Sequence, residues 1–334
     1  MIEIFIGRIK PYALPLAVLI ITWIVIASIT PSFRGAGSVY AVLEGFPMVG
    51  LVALGLGVTI IAGELDLSVG SMAALAATIA VLTESAGLVG CILIATFVGT
   101  VIGAVQGTLI GRLQINSLVF TIGTLILLRG LTYISSGNAP IIIQNFMMTD
   151  PLLDRYWIFS VSSITALIVF MLIGLFLTYT RWGREIFAIG GARNEAIAAG
   201  VPRVQPLTVS FAISAGCASL AGALAATRGG SAAPQNYADL LLSGAAAALL
   251  GGISLYGGRG SVLNVALGVA VLTVVATGLA ARGSAASLVQ LVTGALLLTM
   301  IAIEFLAGRL TLQDTIFAAG LRGRSLKTTD KSNS

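Results

Sequence analysis

Apolar residues in this chain gather into long stretches separated by short polar joints. A bilayer core of about 30 Å is crossed by roughly 20 apolar residues in a helix. That ruler marks about ten stretches: 12–29, 44–62, 69–83, 87–110, 115–134, 157–179, 206–227, 243–253, 261–281 and 285–306. The stretch 243–253 is the shortest and ends in a glycine cluster. The first begins at Tyr12 after Arg8 and Lys10, and Pro31-Ser32-Phe33-Arg34 lacks a small-residue cleavage pattern, so it reads as a retained span. The expected fold is all-α, a polytopic helical membrane protein of about ten transmembrane helices. A single transmembrane domain over 1–310 holds pseudo-halves at about 40–179 and 206–306. Residues 180–205 form a loop, and 311–334 a polar tail expected to fray.

Composition agrees. Of the 334 residues, 57% are hydrophobic and 9% charged, where soluble proteins carry about 25% charged residues. So few charges could not cover a water-exposed surface. The apolar content and aperiodic glycine exclude disorder and collagen. Histidine is absent, which removes imidazole acid/base chemistry and imidazole metal sites. Cys91 and Cys217 lie inside apolar runs and suggest neither a disulfide nor a metal centre.

The net charge of +5 changes meaning once it is placed along the chain. With the N-terminus inside and sides alternating, thirteen of the 18 basic residues fall on inner segments. Arg34, Arg155, Arg228 and Arg282 fall outside, and Arg129 falls within a span. This satisfies the positive-inside bias and puts both termini in the cytoplasm. No dense Lys/Arg patch with interleaved aromatics is present, so nucleic acid is not an expected partner; the bilayer is.

Two glycine-punctuated segments stand about 190 residues apart: Gly63-Glu64-Leu65-Asp66-Leu67-Ser68-Val69-Gly70-Ser71 and Gly252 through Gly260-Ser261, which includes Ser254. Each follows a short apolar run and ends Gly-Ser before a new apolar helix. Two halves of five spans would be oppositely oriented, an inverted repeat, and interrupted helices in matching places point to a transport pathway. Gly and Ser that merely let helices pack closely would leave the same marks.

Catalysis finds no support. There is no phosphate loop of the G-x-x-x-x-G-K-[ST] type, and Lys occurs only at 10, 327 and 331. No catalytic residue, metal ligand or cofactor site is expected in this chain. Charges at span edges are more informative, because a charge at the membrane centre costs about 2.5–3.5 kcal/mol or more. Glu64 and Asp66, with Ser68, can cap the following helix, or contact a coupling ion or substrate. Arg129 can snorkel outward, pair internally, or touch substrate. Glu304 near the end of the last span reaches for the headgroups. Gln106, Asn116, Thr121 and Thr124 are candidate pathway walls. In the inner loop, Asn194–Ala199 reads as a short helix with Asn194 as its cap, stopped by Gly200 and Pro202. Such a helix suits docking into another protein, or lying along the headgroups.

These residues resemble the permease subunits of bacterial ATP-binding-cassette sugar importers, the ribose-type branch. The resemblance rests on Asp66-Leu67-Ser68-Val69-Gly70-Ser71, and on Thr121-Ile122-Gly123-Thr124 with Arg129-Gly130. It rests equally on Gly183-Arg184 through Gly190-Gly191, and on Leu249-Leu250-Gly251-Gly252 with Ser254-Leu255 and Gly257-Gly258-Arg259-Gly260-Ser261. Four motifs in the family's order span roughly residues 40–305. The resemblance implies two permease copies or paralogues, ATPase subunits that use ATP and Mg, and an extracytoplasmic substrate-binding protein. It also implies an ATPase-coupling loop built from Gly183, Arg184, Gly190, Gly191, Asn194, Glu195, Ala196 and Gly200. Here Gly200 follows Glu195 by five positions where the family has six. Glu64-Leu65-Asp66 stands where the family more often has Gly-Ile-Asp. The functional expectation is import of a monosaccharide or similar polyol across a bacterial inner membrane. An ion-coupled carrier using Glu64 and Asp66 is the alternative, and would not need the glycine-bounded helix.

Overall fold

The computed structural model describes residues 2–299 and 302, with side chains from Tyr12 onward. Residues 300, 301 and 303–306 of the last apolar stretch, with Glu304 among them, and the tail 311–334 lie outside the described residues. The helices in chain order are α1 (Ile2–Ile29), α2 (Ala36–Ile61), α3 (Val69–Leu82), α4 (Gly87–Leu113), α5 (Ser117–Ser135) and α6 (Asp150–Leu153). They continue with α7 (Val161–Tyr179), α8 (Arg181–Gly191), α9 (Arg193–Ala198), α10 (Val204–Gly229), α11 (Leu240–Leu250) and α12 (Val262–Ala281). Among the described residues, seven helices are long and apolar enough to cross a membrane, and Val69–Leu82, Leu240–Leu250 and Ala286–Thr299 are shorter apolar helices. The protein is thus an all-α polytopic membrane protein.

Helix boundaries follow local chemistry. Asn116 accepts from the Leu118 N–H at 2.9 Å and starts α5. Ser160 and Ser163 form a reciprocal capping box at α7. The left-handed Gly230, at φ 66°, ends α10.

Burial separates a core from a rim. Of the apolar stretches, 72% of α10 and 67% of α2 are buried, against 22% of α5. α10 earns its central place with small side chains: Gly99, Gly103, Gly107 and Gly111 form a stripe on α4. Any Cβ added there would press on α10 at Ser219, Ala215, Phe211, Leu207 or Val204. The stripe lets the two backbones approach closely, the packing that works in lipid. Rim helices expose Phe97, Val119, Ile126 and Ile134, side chains that belong against acyl chains.

The connections sort to two ends. Segments 62–68, 114–117, 190–203 and 254–260 meet at one end, through contacts detailed below. At the other, Ile141–Ile142 pairs antiparallel with Ser231–Ala232, Gln144 N–H donates to Glu84, and Arg129 reaches the 234–236 segment. Successive apolar helices therefore run in alternating directions.

One sequence expectation needs correction. Segments 63–71 and 252–261, expected to be equivalents in an inverted repeat, instead meet: the Gly258 N–H donates to the Ile61 carbonyl at 2.8 Å. The 20 residues of α12 run about 30 Å from this point, a full membrane crossing, so it lies at one face rather than the midplane. An inversion carries one face to the other, so two segments that meet at one face are not its mates.

Candidate functional site: a glycine junction and a buried carboxylate

Three strands of the chain come together with no side chain between them. An added Cβ on Gly190, near the end of α8, would overlap the Ile61 carbonyl oxygen at the end of α2. One on Gly258 would overlap the Gly191 Cα, and one on Gly257 would stand 3.0 Å from the Gly63 Cα. Gly63, Gly257, Gly258 and Gly260 all have positive φ, so both the turns and the close approach require glycine. Arg193, at the start of α9, extends the junction: its Nη2 donates to Glu64 Oε1 at 2.7 Å and to the Ala62 carbonyl at 3.3 Å. Glu64 is thus an ion-pair partner of the loop rather than a helix cap.

Beside the junction lies a polar knot. Asp66 is fully buried; its Oδ1 accepts from the Ser68 N–H at 3.0 Å and the Ser68 hydroxyl at 2.6 Å, and its Oδ2 accepts from the Ser214 hydroxyl at 2.8 Å. Gln106 Nε2 donates to Ser68 Oγ at 3.2 Å. Both carboxylate oxygens are therefore engaged by donors from the α2–α3 break and α10, and the hydroxyl chain reaches α4. This is the arrangement that makes a buried carboxylate tolerable. Ser68 occupies the N-cap of α3 without a side-chain capping bond, and Asp66 takes the N–H of Ser68 itself, so the capping expected of Glu64, Asp66 and Ser68 is reduced to this one bond just outside the helix. Thr121 packs close by, its hydroxyl 3.4 Å from the Leu65 carbonyl.

The other expected residues divide. Asn116 is exposed and caps α5, at the edge of a cleft of about 420 Å³ that Glu64, Ser117, Arg193 and Arg203 also line. Arg203 Nε is buried there without a hydrogen-bond partner. Thr124 bonds within its own helix, to the Phe120 carbonyl at 3.0 Å. Arg129 lies at the opposite end, where its guanidinium donates to the Pro234 and Asn236 carbonyls at 2.5 and 3.3 Å. Ser254 organises its own turn, accepting from the Tyr256 N–H at 3.3 Å.

In the loop, Thr180 caps α8 by accepting from the Gly183 N–H at 3.1 Å, and Gly183 admits no Cβ against the Leu177 carbonyl. Arg184 points outward, and Ala196 is buried while Asn194, Glu195 and Gly200 are exposed. The expected cap is corrected: α9 begins at Arg193 behind Ala192, so Asn194 lies inside the helix and makes no cap. Gly200 does end it, at φ 90°. Sequence reasoning missed Ser214, whose only signal is its four-residue spacing from Ser210 in α10. It also missed Arg193 and Arg203 as partners of the break, since nothing local links them to it.

A break between membrane helices is tied by backbone contact to an amphipathic loop helix, the interruption at which transport pathways are built. Residues 38–301 match the family described as branched-chain amino acid transport system / permease component, and the chain belongs to it. It is a non-catalytic, multi-pass permease subunit of a bacterial ATP-binding-cassette importer. It is 28% identical over 244 residues to the L-arabinose ABC transporter permease protein of Azospirillum brasilense, covering 72% of each chain. The ribose import permease protein of Bacillus subtilis is 27% identical, over 87% of this chain and 91% of its own. A fructose import permease protein of Bifidobacterium longum is 30% identical over 76% and 78%. No solved structure matches.

Proposed function

We propose that this chain forms the membrane pathway of an importer for a monosaccharide or similar polyol. Partner ATPase subunits, which bind ATP and Mg, drive it, and an extracytoplasmic binding protein supplies it. A second permease copy or a paralogue completes the pathway. The substrate class rests on the arabinose, ribose and fructose permeases to which the chain is similar. The observation that carries the coupling is the backbone contact of Gly190 with Ile61 and Gly257. When an ATPase moves α8 and α9, the α2–α3 break and the 254–260 loop must move with them, because no flexible side chain lies between.

In this reading the ten apolar stretches are ten spans, with both termini and the glycine junction on the cytoplasmic side. Six arginines of the described inner segments, Arg112, Arg181, Arg184, Arg193, Arg203 and Arg259, support that side. If the halves are related by inversion, the mate of 62–68 is 230–239, since each leads into a short helix, α3 or α11. High substrate affinity resides in the binding protein, which leaves the pathway weak contacts only. Asp66 serves as an anchor, its oxygens already engaged, rather than as a coupling-ion site.

The test is uptake into vesicles reconstituted with and without the cognate ATPase. Uptake of a radiolabelled pentose or hexose is expected only with the ATPase, the binding protein and ATP. Uptake driven by an ion gradient alone would overturn the reading.

A further inference from the structure

A second cavity, a groove of about 730 Å³, runs between α7, α8, the start of α12 and α1. Met171, Leu175, Val262 and Leu263 wall it, while Tyr12, Tyr179, Arg184 and Ser261 stand at its polar end. Gly174 lies on the wall, and its missing side chain keeps the space between α7 and α12 open; an added Cβ would stand 3.6 Å from the Val262 Cβ. Among the described lining residues Arg184 is the only charged group. Its recorded hydrogen bond is a long one, 3.5 Å from Nη1 to the Tyr179 carbonyl, so most of its five donors face outward. Beside it, α12 begins at its Ser261 cap, and the first turn of this 20-residue helix presents its positive end.

The walls belong to α7 and α12, both long and apolar enough to cross the membrane, so the material that fills the groove at that depth is an acyl chain. At its mouth a guanidinium and a helix N-terminus select an anionic oxygen group. We propose that this groove binds one anionic phospholipid, its phosphate held by Arg184 and the first turn of α12, one acyl chain laid along Leu175 and Val262. A zwitterionic lipid would bring an ammonium to a mouth where the charge among the described residues is positive, so the groove prefers phosphatidylglycerol to phosphatidylethanolamine. The bound lipid would bear on α8, which ends at the glycine junction, and on α12, which begins just after the 254–260 loop.

The full-length chain is extracted from membranes in mild detergent, and retained lipid is counted by native mass spectrometry after exchange into equal phosphatidylglycerol and phosphatidylethanolamine. Wild type is expected to keep one phosphatidylglycerol in preference. Arg184→Gln should weaken that retention about fivefold, the effect of one basic residue near an anionic headgroup. Gly174→Leu, which fills the groove without touching any charge, should abolish it and decides the matter if Arg184→Gln fails to assemble. Added inorganic phosphate should leave the lipid in place. Equal retention of both lipids, unchanged retention in either folded variant, or displacement by inorganic phosphate would overturn the proposal.

Discussion

The two ends of α2 are held by opposite means. Near its start, Glu44 pairs with Arg228 of α10 at 2.8 Å, and the same guanidinium donates to the Leu152 carbonyl of α6. Arg129 makes the matching reach from α5 to the Pro234 and Asn236 carbonyls. There, long side chains grip a carboxylate or backbone carbonyls, and each such grip has torsional slack. At the far end of α2, Ile61, Gly63, Gly190, Gly257 and Gly258 touch backbone to backbone. A contact without side chains has no slack, so a displacement on one side becomes a displacement on the other. The slack end suits adjustment, and the glycine end suits transmission. Each substitution below tests that contrast.

The largest effect is expected at Gly190. A methyl group there would overlap the Ile61 carbonyl oxygen, which is backbone and already accepts from the Gly258 N–H. Overpacking costs about 1–3 kcal/mol and occasionally more, and with no side chain able to move aside, Gly190→Ala should reach at least the top of that range. Thermal unfolding in detergent should show the loss, and ATP-driven uptake should vanish. Wild-type uptake would mean the junction has room and the contrast is wrong.

Next is Asp66→Asn. It replaces a group that accepts from two hydroxyls and an N–H by one with a single accepting oxygen, where each hydrogen bond contributes about 0.5–1.5 kcal/mol and a buried donor left unpaired costs about 1–3 kcal/mol. An amide retains part of that, so a loss of about 2 kcal/mol is expected in a denaturation midpoint. Uptake should be independent of sodium and proton gradients in wild type and variant alike. A gradient dependence in wild type that Asp66→Asn removes would instead make Asp66 a coupling site.

The helices were legible in the sequence because a bilayer imposes a length and an apolar content that no packing detail can hide. Every apolar stretch within the described residues became a helix, though Leu240–Leu250 is only about 16 Å long. Of the inner loop only Asn194–Ala199 reads as helix from the sequence; the amphipathic α8 does not, because its charged face and its two terminal glycines look like loop. Asp66 and Ser68 stood out because charge is scarce, but their partner Ser214 is 148 positions from Asp66 and looks like any small residue of a packed helix. The glycine motifs were visible as motifs. Their convergence was not, because glycine carries no pattern that names its neighbour; segments that look alike in sequence turn out to touch.

At the slack end the expected losses are smaller. Glu44→Gln removes the charge opposite Arg228, whose side chain is 27% exposed and Glu44's 19%, so water screens what remains. About 1 kcal/mol is expected, between the exposed and buried limits, with uptake largely retained. Abolished uptake with an unchanged unfolding midpoint would show that this end, too, transmits motion.

The smallest effect is expected one residue from the largest. Gly191 follows Gly190 in α8 but is turned about 100° around the helix, and a Cβ there would stand 3.6 Å from the Gly258 Cα, an ordinary contact. Its φ is not in the left-handed region, so alanine adds no backbone strain there. Gly191→Ala should therefore stay within about 0.5 kcal/mol of wild type and keep its uptake. The pair of substitutions separates two explanations of the motif. If overlap with Ile61 is what matters, the neighbours differ sharply. If the dipeptide works through loose backbone, both alanines stiffen it alike, and equal losses at 190 and 191 would move the cause from packing to chain flexibility.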